Sequence, residues 1–321
     1  MIKWSNSRDN DARTCERRAF LKYRYASATA TKEWRRFRAH LLKRAVDPTT
    51  WAGNVAHHVI SSLIVPQAQE RGGHFDVDQA IRASLDLIDK QFEFSGQRQF
   101  ETCSRSQAGS AYCVLKSHLY DDGESELAKE TAIDLCSRGL LNLARSHHDL
   151  LEKTSKAAQV YTEKEIRIRL DADLMVEAIL DLLLFNRSRH ALIVDWKLWG
   201  HGGFAGDQLL VYAYAVLKCG WWPDLVLDRI SVLEANLLTG EKATIQPTAE
   251  DLAMVDDRIF TGAERLERIF QNPDVADVDE RLFAPASRPG ACLKCQVAEV
   301  CSDARFRLQQ PTNRSFEFVL S

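Results

Sequence analysis

Residues 159–197 read QVYTEKEIRIRLDADLMVEAILDLLLFNRSRHALIVDWK. Three extended segments are packed into this stretch. Over 159–170, Ile166, Ile168 and Leu170 fall on one face, with Lys164, Arg167 and Arg169 interleaved. A period near two predicts a strand with one wet face. Residues 174–186 are apolar apart from Glu177 and Asp181, and 190–197 form a third run rich in branched residues. The NRSR between them, at 186–189, is a turn-forming cluster that suits a hairpin.

Helical patterns surround these strands. Downstream lie a glycine-rich loop, Gly200–Gly206, a helix over 207–219, a strand over 225–238 and a helix over 249–271. Upstream, 14–25 reads as an amphipathic helix and 32–45 as a second, basic one. Pro48 and Thr49–Thr50 end it and cap the next, which is expected from Trp51 to Val65. Gly72–Gly73 is a loop, and 76–94 and 124–153 show helical spacing. Helices, three strands, helix, strand, helix and tail predict an α/β core preceded by a helical insertion. Four segments are expected in the 321 residues: 1–48, basic and helical; 49–156, helical; 157–284, the α/β core; and 285–321, a cysteine-bearing tail.

Hydrophobic residues make up 45% and charged residues 27%, which excludes a disordered, collagen-like or disulfide-stapled chain. No run of 18 apolar residues occurs, so no membrane span is expected. The polar start, Met1 to Arg13, lacks the apolar region of a secretory signal, and a cytoplasmic location is expected. Thiols stay reduced there, so the eight cysteines read as core residues or metal ligands. Residues 1–44 carry 13 Lys/Arg and 4 Asp/Glu, net +9, while the rest carries 29 and 41, net −12. A basic arm on an acidic body fits either a phosphate backbone or a solvated helix face. Arg35, Arg36 and Arg38 are the candidate DNA contacts in it. No G-x-x-x-x-G-K-[ST] occurs, so any helicase engine would come from a partner.

The chemistry sits at the strand ends. Asp195 and Lys197 are two residues apart, so they project from the same side of a strand. Asp181 joins them if the strands are hairpin neighbours. Two carboxylates and an ammonium at a sheet mouth suit a hard divalent cation, Mg²⁺ or Mn²⁺. Such a cation polarises a phosphoryl oxygen and activates water, and the lysine stabilises developing charge. Charged residues facing solvent at strand ends are the alternative. Gln208 and Tyr212 share one helix face, and His57 is a candidate third ligand through neutral imidazole.

In order and spacing these residues resemble the RecB-type nucleases of the PD-(D/E)XK superfamily. Gly53 to His57 matches G-x-x-x-H; Asp181 matches the aspartate of G-x-x-D, with Ala178 in the glycine's place. VDWK, at 194–197, matches D-x-K, and QLLVY, at 208–212, matches Q-x-x-x-Y. The resemblance runs from Cys15 to Cys301. It implies a restriction-endonuclease-like core in which Asp181, Asp195, His57 and the Trp196 carbonyl bind the metal. It further implies that Lys197 assists the attacking water and that Gln208 and Tyr212 lie beside the DNA path.

Cys292, Cys295 and Cys301 form C-x2-C-x5-C, a soft-metal pattern short of one ligand. Cys15 is the natural fourth. The resemblance to the iron–sulfur subset, AddB-like and CRISPR-associated exonucleases, implies a 4Fe–4S cluster that joins the two termini. Zinc in the same thiolates is the alternative. The leading expectation is a DNA exonuclease acting on single strands or ends, in repair, recombination or anti-phage/CRISPR contexts, alone or with a helicase or CRISPR/recombination partner. A nuclease-like binding module without catalysis is the competing class. An enzyme acting on RNA is a third, since contacts to the 2′-hydroxyl would decide it.

Overall fold

The computed structural model describes residues 1–30, 32–198, 206–271, 279–288 and 290–304. Apart from Gly206, the glycine-rich loop expected over 200–206 lies outside the described residues. The chain begins with β1 (Ile2–Trp4), α1 (Asn6–Thr14), α2 (Glu16–Phe20) and α3 (Trp34–Arg44). Helices α4 (Pro48–Val59), α5 (Val65–Glu70), α6 (Val77–Gly96), α7 (Arg105–Ala108) and α8 (Lys116–Tyr120) follow. Next come α9 (Ser125–Ser146), α10 (His148–Lys156), β2 (Gln159–Arg169), β3 (Leu174–Phe185) and β4 (Ala191–Lys197). The chain continues through α11 (Gly206–Lys218), β5 (Ile230–Asn236), β6 (Lys242–Ile245), α12 (Ala249–Phe270) and α13 (Gly290–Leu293). The expected α/β class, with helices ahead of the strands, is what the chain adopts. It divides into two compact units: 1–6 with 44–263, and 7–43 with 264 onward.

The first unit holds a six-stranded mixed sheet of order β1-β3-β4-β5-β6, with β2 also paired to β3. β2 runs antiparallel along β3, from Gln159↔Phe185 to Arg169↔Met175. On the opposite edge of β3, β1 pairs in parallel at 174–176 and β4 pairs antiparallel at 182–185. The predicted hairpin forms: the Asn186 carboxamide oxygen accepts from the His190 N–H at 2.9 Å, and Arg189 takes a left-handed φ of 60°. Leu182, Leu184, Val194 and Trp196 join the core built by α4, α6 and α9, beside Trp51, Val55 and Leu140. Helix α11 packs against β3, β4 and β5 and buries Leu209, Val211 and Ala213.

Several boundaries differ from the sequence reading, each for a local reason. Helix α4 starts at Pro48, not Trp51, because Asp47 caps it: its carboxylate accepts from the Thr50 N–H at 2.8 Å. The helix expected over 124–153 breaks at His147, whose ring nitrogen bonds the Asn236 carbonyl at 3.0 Å. The strand expected over 225–238 ends at Asn236. The Asn236 side chain accepts from Leu238 and Thr239, and Gly240 (φ 75°) turns the chain into the unforeseen β6. The helix expected over 14–25 starts after Cys15, whose sulfur accepts from the Arg18 N–H at 3.3 Å.

In the second unit, segments from opposite ends of the chain pack together. Phe20 stacks on Phe283 with ring centres 4.5 Å apart. The buried Arg17 donates to the carbonyls of Glu280 (3.1 Å) and Phe283 (3.3 Å).

Candidate active site

β3 and β4 pair from Phe185↔Ala191 to Leu182↔Val194 and then part, while β4 stays on β5 as far as Lys197↔Asn236. One step further along β3 is Asp181. Its carboxylate takes the place of a ladder carbonyl and accepts the Trp196 N–H at 2.8 Å. The opening of the ladder therefore leaves no orphaned backbone donor at Trp196 and holds an acid at the gap.

Asp195 and Lys197 project together, as their spacing requires. The Lys197 ammonium lies 2.5 Å from Asp195 Oδ2. Asp195, Lys197 and Asp181 are all buried, at 1%, 8% and 9% exposure. Lys197 also reaches Gln208 Oε1 at 3.4 Å, and Gln208 donates to the Tyr212 hydroxyl on the same face of α11. His57, one turn beyond Gly53 on α4, bonds the Trp196 carbonyl through Nε2 at 2.9 Å, and its Nδ1 lies 3.4 Å from Asp181 Oδ1. So Asp181, Asp195, Trp196, Lys197, His57, Gln208 and Tyr212 come together in one unit from β3, β4, α4 and α11.

Glu163 was not foreseen. Its carboxylate lies 3.9 Å from His57 Nδ1. The potential ligand atoms of His57, Glu163 and Asp181 all lie within 4.8 Å of one another. The β2–β3 register has pairs at Thr162↔Leu182 and Lys164↔Leu180, with Glu163 between them at φ 47°. A left-handed glutamate in mid-strand costs on the order of 1–3 kcal/mol, a strain characteristic of functional sites. No turn residue in TEKE signals it. The alternating pattern of the sequence predicts an ordinary strand there.

Among the described residues of the site, three carboxylates, Glu163, Asp181 and Asp195, accompany one permanent cation, Lys197. The imbalance appears in the proton affinities. Asp195 is raised first by burial and second by the Asp181 charge, against the opposing pull of Lys197. Glu163 is raised by burial, then by Asp181. Burial works against a charged His57, but Asp181 and then Glu163 outweigh it, and the imidazole pKa is raised to about 9. Burial and the two aspartates likewise raise Tyr212. Two buried aspartates and an exposed glutamate, with an imidazole and a carbonyl beside them, are a donor set that fits a hard divalent cation.

The other expected residues lie in the second unit. Arg35 donates to the Val300 carbonyl at 2.8 Å and pairs with Glu280. Arg38 forks onto Glu299 at 3.0 and 2.9 Å. Arg36 bonds the Tyr25 carbonyl at 3.1 Å and pairs with Glu33. Cys15, Cys292, Cys295 and Cys301 line one cavity, with Arg17 and Arg18 at its wall. Burial pushes the Cys295 thiol up to about 11, with Cys15 and Cys301 adding to it. The four thiols share that cavity, but among the described residues the ligand group with atoms all within 4.8 Å of one another is His57, Glu163 and Asp181.

The family model described as the PD-(D/E)XK nuclease superfamily matches residues 3–302. No curated protein matches the chain. A solved structure titled "Crystal structure of SSO0001" aligns with 68% of this chain and 95% of its own, at 13% identity and a TM-score of 0.32. A likeness of that degree carries no argument about the site.

Proposed function

The chain belongs to the PD-(D/E)XK nuclease superfamily, and from that premise we propose that it is a divalent-metal-dependent deoxyribonuclease of the RecB type that digests DNA from ends. The observation carrying this reading is the Asp195–Lys197 pair buried beside Asp181 at the parting of β3 and β4. Asp181, Asp195, His57 and the Trp196 carbonyl would hold Mg²⁺ or Mn²⁺, with Glu163 as a further oxygen donor. When bound, the cation supplies Lewis acidity toward the scissile phosphoryl oxygen and the attacking water. Lys197 orients that water and offsets charge gathering on the phosphoryl oxygens. Gln208 positions Lys197, and Tyr212 fixes Gln208. Water adds to phosphorus and gives up one proton, the P–O bond to the leaving nucleotide breaks, and the leaving oxygen gains one proton, so the net change is the addition of one water.

No helix among the described residues is long and apolar enough to cross a membrane. A cytoplasmic location and a separate helicase or CRISPR/recombination partner belong to the same reading. So do the four expected segments, 1–48, 49–156, 157–284 and 285–321. Cys15, Cys292, Cys295 and Cys301 would hold a 4Fe–4S cluster that staples the second unit, with zinc as the alternative. Arg35, Arg36 and Arg38 would add to DNA affinity, and a phosphate would there compete with the partners each guanidinium already holds. The test is incubation of anaerobically purified protein with end-labelled single and double strands plus Mg²⁺, Mn²⁺ or EDTA. Metal-dependent shortening from an end, lost in Asp195→Ala, is the expected result. Strand binding without cutting under every metal would favour a binding module instead.

A further inference from the structure

A cleft of about 490 Å³ opens beside the acid cluster in the first unit, and His57 and Glu163 belong to its lining. That volume lies within the roughly 300–1,000 Å³ typical of ligand pockets. One wall is α4, which contributes Asn54 and His58 as well as His57. The facing wall runs from Arg105 to Val114, and Arg44 contributes to the lining as well.

The facing wall is tied down at Ser110 and Val114. The buried Trp51 donates from Nε1 to Gln91 at 2.6 Å, and Gln91 donates to the Ser110 carbonyl at 2.7 Å. Val46 exchanges backbone bonds with Val114 (2.9 Å) and Lys116 (3.0 Å), and Ser95 accepts the Leu115 N–H at 3.0 Å. The short helix α7 and the turn after it, Gly109–Ala111, thus lie on a braced surface.

Its charge is equally specific. The Arg44 Nε atom is buried and has no hydrogen-bond partner among the described residues. A buried guanidinium nitrogen without an acceptor is costly, and native proteins rarely keep one without a reason. Arg105 is exposed on the same cleft. Tyr112 lines the same cleft; burial raises its hydroxyl pKa, and Arg44 and then Arg105 pull it back down. Two guanidiniums and a tyrosine thus line one cleft next to the metal-type site.

We propose that this cleft binds the phosphodiester adjoining the scissile one, with Arg44 and Arg105 as its clamp and Tyr112 against the attached nucleoside. The inference rests on the nuclease reading and adds the route of the strand. Arg suits this task because its planar fork meets two phosphate oxygens at once. Sequence would matter little, since backbone charge and an aromatic face are common to every nucleotide.

The test uses the full chain with a fluorescent single-stranded oligonucleotide in Ca²⁺, followed by anisotropy across a salt series. Arg44→Gln with Arg105→Gln should weaken binding at least tenfold and reduce the salt slope by about 0.7 for each phosphate that is no longer neutralised. Under Mg²⁺, KM should rise more than kcat falls. Mn²⁺ binding by calorimetry should stay unchanged, because neither residue touches the acid cluster. Arg44→Lys should recover part of the affinity. Arg105→Gln alone, at an exposed position, serves if the Arg44 variants do not fold. Wild-type affinity and slope in the double variant would overturn the clamp while leaving the nuclease standing. A wild-type chain that binds the strand but cuts it under no metal, with binding lost in the double variant, would overturn the nuclease and keep the clamp. A wild-type chain that binds no strand would overturn both.

Discussion

Cation binding at the acid cluster should depend on pH through His57. The imidazole pKa stands at about 9 in the metal-free protein, raised by Asp181 and Glu163 against burial. At pH 7 the protonated ring then outnumbers the neutral one by about 100 to 1, and only the neutral ring can ligate a metal. The apparent Mn²⁺ affinity should therefore rise about tenfold per pH unit from 7 to 9 and level off above. Calorimetric titration at pH 7, 8 and 9 reads this directly. His57→Gln keeps a donor for the Trp196 carbonyl and should flatten the dependence. The same proton stabilises the fold. A His whose folded pKa lies above its unfolded value of about 6.5 stabilises fully below 6.5, and that stability is lost as pH rises through 9. Asp195, also raised, has the same sign: its protonated form is favoured in the folded state, so ionisation costs stability. Metal-free protein should lose up to about 3 kcal/mol, roughly 4–5 °C in Tm, between pH 6.5 and 9. Mn²⁺ should abolish that loss by supplying the missing positive charge. A wild-type affinity equal within twofold at pH 7 and 9 would refute the reasoning, as would an unchanged slope in His57→Gln.

Lys197→Met keeps the apolar stem and removes the ammonium; kcat should fall by about 10²–10³ with strand affinity retained, measured by single-turnover cleavage and anisotropy. Gly139→Ala would put a methyl 2.3 Å from Leu198 Cδ1, so the side chain next to Lys197 must move. Denaturant melts should show a loss of about 1–3 kcal/mol, with slower cleavage alongside. Cys15→Ser should lose iron and the brown colour of the anaerobic protein and lower its Tm, as iron analysis and melting would show. One zinc per colourless wild-type chain would replace the cluster with the simpler site.

Local pattern carried the sheet and most of the site. Alternation and apolar runs mark β2, β3 and β4, and the two-residue spacing of Asp195 and Lys197 requires a shared side. The rest depends on contacts between distant segments. β1 is three residues long and is held by parallel pairing with β3, some 170 residues on. Nothing in a periodicity can announce that. Glu163 enters the cluster through one left-handed residue with no glycine or asparagine to mark it. Arg35 and Arg38 read as free basic charge until Glu280 and Glu299 arrive from the other end of the chain. In the same way Arg105 carries no motif; the fixed wall around it gives it a use.

The second unit, made from residues 7–43 and those after 263, imposes an order on synthesis. About 220 residues separate its two parts, which at the usual ~5–20 residues per second is roughly 10–45 s on the ribosome. Throughout that delay Phe20 has no Phe283 to stack on, and Arg17 has neither of its carbonyl acceptors. The sheet of the first unit, by contrast, is complete once Ile245 has emerged. The nascent chain therefore carries a fully paired sheet while the second unit is still half made, a state open to chaperones and to premature oxidation of Cys15. Any prosthetic group shared by Cys15 and the later cysteines can be completed only after Cys301 has left the exit tunnel.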